Sequence, residues 1–349
     1  MKKICFRVDA SNSVGMGHLM ECLALADFFD HHCEYSIIFL VNDFPVIEEI
    51  LSKNQYTFHT LETTRNEEAE LHCMSEFFQK NIPDVIVCDL LDRSENYYRA
   101  IHNLICCSVV ILDDEIHRAV AGDIIVNFSI TQDPGFYSSI KDISTRYCIG
   151  PAYMPLTSVF NTKWKMNKHI PEKCETIFLN QGGSDPFGLT AKIIRALELL
   201  ELSQTLYVVI GDAISDRHRQ ELESMRPQLK NKYIFEWGVT HERMLEIMEI
   251  CDVAITAAGN TLYELAIFGV PSIIICHHER HHRVAEKFAQ RSAAINLGIG
   301  THLDAHQIAD SVYLLLNDYQ HRVEMSQEQK KIIDGNGCKR ITEEMKSLW

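Results

Sequence analysis

Three things are missing from this chain of 349 residues: an apolar run near the ~18 residues of a membrane-spanning helix, a CxxC pair, and a cluster of Lys and Arg. The first absence predicts a water-soluble globular protein with no membrane insertion. The opening Met1, Lys2 and Lys3 lead into Ile4, Cys5 and Phe6, but Arg7 and Asp9 break the run. The apolar core of a signal peptide is missing, and a cytoplasmic location is the expectation. The twelve cysteines are scattered from Cys5 to Cys338, and several, such as Cys88, Cys251 and Cys276, sit inside apolar runs. Thiols placed so behave as small hydrophobes and are expected to be reduced. A formal net charge of −15 repels nucleic acid and anionic lipid over long range, so any anionic ligand has to be held locally.

What is present is an alternation. At ~150 residues per domain the length suggests two domains with a cleft between them. In the first half, β-like runs (KKICFRVDA, YSIIFLV, DVIVCD, SVVILDD, DIIVNF) are separated by helix-sized segments such as HLMECLALADFF and YYRAIHNLI. Residues 150–176 then lose periodicity and carry Pro151, Pro155 and Pro171, which places the domain boundary there. After it the alternation restarts with TIFLNQGG, TLYVVIG, KYIFEW, DVAITAAG and PSIIIC. The predicted class is α/β: two Rossmann-like, doubly wound parallel-sheet domains facing a cleft, the first over 1–158 and the second over 172–349, with the last helix free to pack back on the first. In such sheets ligands sit at the carboxyl ends of the strands.

Five stretches carry candidate chemistry. In DASNSVGMGHLMECLALA, Gly15 and Gly17 permit a tight turn and His18 falls in the first turn of the helix that follows. The positive helix end should keep that ring neutral and able to take a proton, although the spacing also fits a capping histidine without chemistry. In FLNQGGSDPFG, a strand runs through Gly182, Gly183, Ser184 and Asp185 into a helix, a junction able to cradle a pyrophosphate with backbone amides. It lacks the P-loop lysine and the third glycine of a dinucleotide fingerprint, so neither ATP hydrolysis nor NAD binding is supported. In DVAITAAGNTLYELAIFG, Ala257, Ala258 and Gly259 end a strand, Asn260 and Thr261 can cap a helix, and Glu264 stands one turn in, placed to accept ribose hydroxyls. The acidic Asp113, Asp114 and Glu115 at a strand end suit strand-end structure or sugar hydroxyl contacts better than a metal. Finally CHHERHH, with His277, His278, His281 and His282 around Glu279 and Arg280, departs from HExxH. It is predicted to be a substrate or nucleotide loop rather than a zinc site.

The motifs FRVDASNSVGMGH, LDDEIH with DIIVN, QGGSD, AAGNTLYELAIFGVP and AAINLG together resemble the UDP-sugar hydrolases of the pseudaminic acid pathway and the related spore-coat polysaccharide proteins, over almost the whole chain. The resemblance implies a GT-B fold. It also implies hydrolysis of a UDP-linked diacetamido-trideoxy sugar at the anomeric carbon, with His18 as general base on the attacking water. The sugar would lie against Arg7, Asp9, Ser13, Gly15, Gly17, Asp113, Asp114 and Glu279. The UDP would be held by Gly182, Gly183, Ser184, Asp185, Ala258, Gly259, Asn260, Thr261 and Glu264. No cofactor beyond the UDP of the substrate, no metal and no nucleic-acid partner are expected. Three places differ from the group's usual pattern: Glu21 stands where Arg is usual, CDLLDRS lacks a tyrosine, and Glu279, Arg280 and His281 replace ENQ. A glycosyltransferase with an acceptor hydroxyl in place of water, and a non-catalytic sugar-nucleotide-binding protein, are the rival expectations.

Overall fold

The structure is a computed structural model describing the chain except residues 1, 12–14, 31–34, 62–65, 106, 114–120, 141–143, 167 and 349, and the side chains of residues 30 and 105. The chain divides into two compact units, residues 1–159 with 335–349 and residues 160–334.

The first unit holds the strands β1 (Lys2–Val8), β2 (Tyr35–Asn42), β3 (Thr57–Leu61), β4 (Val85–Asp89), β5 (Ser108–Leu112), β6 (Ile124–Asn127) and β7 (Arg146–Ile149). They form one parallel sheet in the order β3-β2-β1-β4-β5-β6-β7. The central runs are apolar almost throughout because helices cover both faces. Alternate residues of β1 go to opposite sides. Ile4, Phe6 and Val8 join Leu19, Cys22, Leu23 and Phe29 of α1 (Gly17–Asp30), while Cys5 joins Ile86, Cys88, Met74 and Phe78. Each such fully buried aliphatic or aromatic side chain contributes about 1.5–3 kcal/mol. The other helices here are α2 (Pro45–Lys53), α3 (Glu67–Phe78), α4 (Glu95–Ile105) and α5 (Pro134–Ser138); α6 (Ser158–Lys165) contains the junction between the units.

The second unit repeats the plan with β8 (Thr176–Asn180), β9 (Thr205–Ile210), β10 (Lys232–Trp237), β11 (Val253–Thr256), β12 (Ser272–Cys276) and β13 (Ile295–Ile299), parallel in the order β10-β9-β8-β11-β12-β13. Its helices are α7 (Leu189–Leu197), α8 (Asp216–Met225), α9 (His241–Ile250), α10 (Asn260–Phe268), α11 (Glu279–Ala289), α12 (Ala305–Asn317) and α13 (Tyr319–Ile332). The last helix, α14 (Gly337–Met345), returns to the first unit, where Cys338, Ile341 and Met345 complete the core beside α1. The ten described cysteines are all free thiols. Among the described residues no helix is long and apolar enough to cross a membrane.

In both sheets the chain builds outward to one side and then restarts on the other. The reversal falls between β1 and β4 in the first sheet and between β8 and β11 in the second. These switch points, where successive loops diverge, are where a doubly wound sheet leaves room for a ligand.

Candidate functional site

At the first switch point the register pairs Val8 of β1 with Asp89, the last residue of β4. The chain leaving β1 turns through Gly15, whose φ of 84° suits glycine and whose N–H bonds Ser11 O at 2.7 Å, and enters α1 at Gly17. His18 thereby comes back over the end of β4, and its Nδ1 lies 2.6 Å from Asp89 Oδ1. An ionised carboxylate can only accept, so Nδ1–H is the donor, and in the neutral ring the lone pair then falls on Nε2. Cys22, one turn on, directs its thiol to the other carboxylate oxygen at 3.8 Å. Asp89 is 2% exposed and the His18 side chain 13%. Glu21, three residues after His18 and so on the same helix face, is also buried. His18, Glu21 and Asp89 each offer one ligand atom, all within 4.8 Å of one another. One imidazole and two carboxylates is a donor set that fits a divalent cation, so these atoms serve either a hydrogen-bonded dyad or a cation.

Arg7 and Asp9 lie in a second polar group nearby in sequence. Arg7 is fully buried: Nε and Nη2 meet Glu70 Oε1 at 2.9 and 2.7 Å, and Nη1 meets Asp9 Oδ1 at 2.6 Å. Arg93 Nη2 bridges Asp9 Oδ2 at 3.1 Å and Glu70 Oε2 at 2.8 Å, and the Tyr97 hydroxyl donates to Glu70 at 2.5 Å. Burial pushes Glu70 up, but the charge of Arg7, the Tyr97 hydroxyl and Arg93 outweigh it and hold the carboxyl below its ordinary range. Arg7 therefore reaches the site only through Asp9, which remains partly open to solvent. Asp113 is buried at the end of β5, its N–H bonded to Val126 O. Ser13 and Asp114, also expected against the sugar, lie outside the described residues, and Glu279 is an exposed helix residue 3.8 Å from His282.

At the second switch point the loop after β8 is shaped by backbone. Asn180 bonds Val209 O with its Nδ2 and receives Gly182 N–H on its Oδ1, which fixes the turn at Gly182 (φ 78°). The turn presses on the end of β9: a Cβ on Gly211 would fall 2.3 Å from Gly183 O. Asp185 is buried, and its two oxygens accept the N–H groups of Leu189 and Thr190 at 2.8 and 2.9 Å, so it holds the first turn of α7, whose N-cap is Gly188. Ser184 is half-buried and Gly183 exposed.

After β11 the structure differs from the sequence expectation. Asn260 and Thr261 do not cap α10; they are its first residues, and the cap is Gly259, which makes no side-chain cap bond because it has no side chain. Ala257 and Ala258 are buried behind it. Glu264, one turn in, keeps some exposure, yet burial pushes its carboxyl up to about 7. The histidines of CHHERHH also begin their helix earlier than expected. His278 is the cap of α11, and His281 and His282 lie within it. Among the described residues they form no metal-ligand group.

Sequence reasoning missed Asp89, Glu70, Arg93 and Gly211. The available signals were the acid closing the strand VIVCD beside β1, and the glycine closing TLYVVI beside the Gly-Gly turn.

Residues 177–343 match the glycosyltransferase family 28 C-terminal domain, a span covering most of the second unit and reaching into α14. Over 349 residues the chain is 23% identical to the spore coat polysaccharide biosynthesis protein SpsG of Bacillus subtilis, covering 98% of this chain and 97% of that protein. The chain is thus similar to SpsG over nearly its whole length, and its fold is GT-B. It is also similar to a UDP-2,4-diacetamido-2,4,6-trideoxy-beta-L-altropyranose hydrolase of Campylobacter jejuni, 22% identical over 291 residues, 83% of this chain and 97% of that one. The GT-B fold is also that of the S. aureus MnaA–UDP co-structure, with a TM-score of 0.70 at 11% identity over 99% of this chain and 96% of that one.

Proposed function

We propose that this GT-B protein hydrolyses a UDP-linked acetamido sugar at the anomeric carbon and releases UDP. The observation that carries the reading is the 2.6 Å contact of His18 Nδ1 with Asp89 at the first switch point, which in the neutral ring makes Nε2 the proton acceptor. In the reaction a water oxygen bonds to the anomeric carbon as the bond to the UDP oxygen breaks, and the water proton passes to His18 Nε2. The departing electron pair stays on the diphosphate. The amides of the Gly182–Ser184 turn and the first turn of α10 offset its charge, and Glu264 accepts the ribose hydroxyls. Attack opposite the leaving group inverts the anomeric carbon. Similar proteins support the substrate class: one is a diacetamido-sugar hydrolase, and a structural neighbour was solved with UDP.

The second reading, transfer to an acceptor hydroxyl, is favoured by the glycosyltransferase family 28 match. Incubation of candidate UDP-diacetamido sugars in ¹⁸O water without acceptor separates the two. Hydrolysis gives free sugar with one ¹⁸O at the anomeric position, and a transferase leaves the donor intact. Running the same assay in EDTA tests the use of His18, Glu21 and Asp89. Activity is expected to persist, and loss restored by a divalent cation would assign those atoms to a metal.

A further inference from the structure

A group of buried polar atoms in the second unit lacks partners among the described residues. Gln181, the residue after β8, is 1% exposed, and neither its amide nitrogen nor its amide oxygen meets a hydrogen-bonding group. Its main-chain carbonyl lies 3.0 Å from His277 Nε2. A carbonyl accepts, so Nε2 carries the proton and Nδ1 of the same ring is a bare acceptor, also buried and unpartnered. The His281 ring stands 5.6 Å from that of His277, and its Nδ1 is likewise buried without a partner. Half-exposed Phe187 stacks on His277 at 6.0 Å. Burial disfavours charge on all of these rings; with His278, His277 and Arg280 adding to it, His281 is pushed down to about 3. Native proteins rarely leave buried amides and ring nitrogens unpaired, because each has given up water for nothing.

We infer that Gln181, His277 and His281 form the wall of a subsite, beside the Gly182–Gly183 turn, for an uncharged ligand group that carries both an N–H and a C=O. This inference rests on the nucleotide-sugar reading. Gln181 supplies a donor and an acceptor together, and His277 Nδ1 supplies a further acceptor. Neutral rings match an amide or imide rather than a carboxylate or phosphate, which would ask them to ionise. Two parts of the ligand have that chemistry: an acetamido substituent on the sugar, and the imide edge of a pyrimidine base.

The test is calorimetric titration of the full-length protein with UDP, UDP-glucose and UDP-N-acetylglucosamine, in the wild type and in Gln181→Leu and His281→Phe. If the sugar substituent fills the subsite, the wild type prefers the acetamido sugar over glucose by about tenfold, and both variants lose that preference while binding UDP unchanged. If the base fills it, both variants lose about tenfold for all three ligands, and N3-methyl-UDP binds the wild type as weakly. Because the amide is unpaired in the free protein, Gln181→Leu is expected to keep or raise Tm. Unchanged affinities for all three ligands overturn the inference and leave the nucleotide reading standing, as does a Tm drop in ligand-free Gln181→Leu. Failure of the wild type to bind any of the three overturns both.

Discussion

At the switch point of the first sheet the chain places ionisable side chains: His18 against Asp89, with Glu21 beside them and the Arg7–Glu70–Arg93 cluster behind Asp9. At the equivalent point of the second sheet it places Gly182, Gly183, Ala257, Ala258 and Gly259, with two acids, Asp185 tied to the start of α7 and Glu264 one turn into α10. The strand orders match up to and past the reversal, so the backbone plan does not explain the difference. A unit that moves a proton needs a titratable ring held by a second side chain. A unit that grips a diphosphate needs open amides and no side chain in the way. Substitutions in the first should act on kcat, and those in the second on ligand affinity.

The largest effect should separate these roles most sharply. His18→Asn is expected to lower kcat by about 10²–10⁴-fold while UDP affinity stays within experimental error. Asp89→Asn, which lets the ring adopt the wrong tautomer, should cost an effect of similar order, about 10²-fold or more. The double variant should be little worse than His18→Asn alone, because the two act as one device. Equal losses in UDP binding would erase the distinction between the units.

A smaller effect is expected from Gly211→Ala. Its Cβ would fall 2.3 Å from Gly183 O, so the turn has to move. Overpacking of this kind costs about 1–3 kcal/mol of stability, read as a lower Tm, and here KM should rise with kcat nearly unchanged. A kcat effect with normal KM would place the Gly-Gly turn in the chemistry instead.

The smallest effect is a pH dependence of the second unit. Glu264 is pushed up to about 7, so its carboxylate forms only as pH rises through that value. Ribose hydroxyls donate to the ionised form, so UDP affinity should increase from pH 6 to pH 8 in the wild type. Glu264→Gln should remove the part of that slope not due to the nucleotide's own phosphate ionisation. An identical slope in the variant would take Glu264 out of ribose recognition.

Much of this was legible in the chain. Continuous apolar runs such as VIVCD and PSIIIC read as buried parallel strands, and the glycine turns after β1 and β8 stand where the motifs put them. What escaped were partners brought together by strand order. Asp89 is 71 residues from His18, and no periodicity connects them; only the β1–β4 register does. Glu70 and Arg93 escaped for the same reason, since a buried arginine on a central strand reads as a substrate contact until its counter-ions are known. The absent cap side chain of α10 escaped because Asn-Thr after glycine fits a cap by composition, while the backbone starts the helix one residue earlier.

The account stands on the state of one ring. Nitrogen-15 NMR of the labelled protein at neutral pH, with His18 assigned by comparison with His18→Asn, reads which nitrogen carries the proton. The prediction is a proton on Nδ1 and a bare Nε2, shifting toward a mixture of tautomers in Asp89→Asn. A wild-type ring protonated on Nε2 and bare on Nδ1 would contradict it, since the atom meant to accept the proton would already hold one.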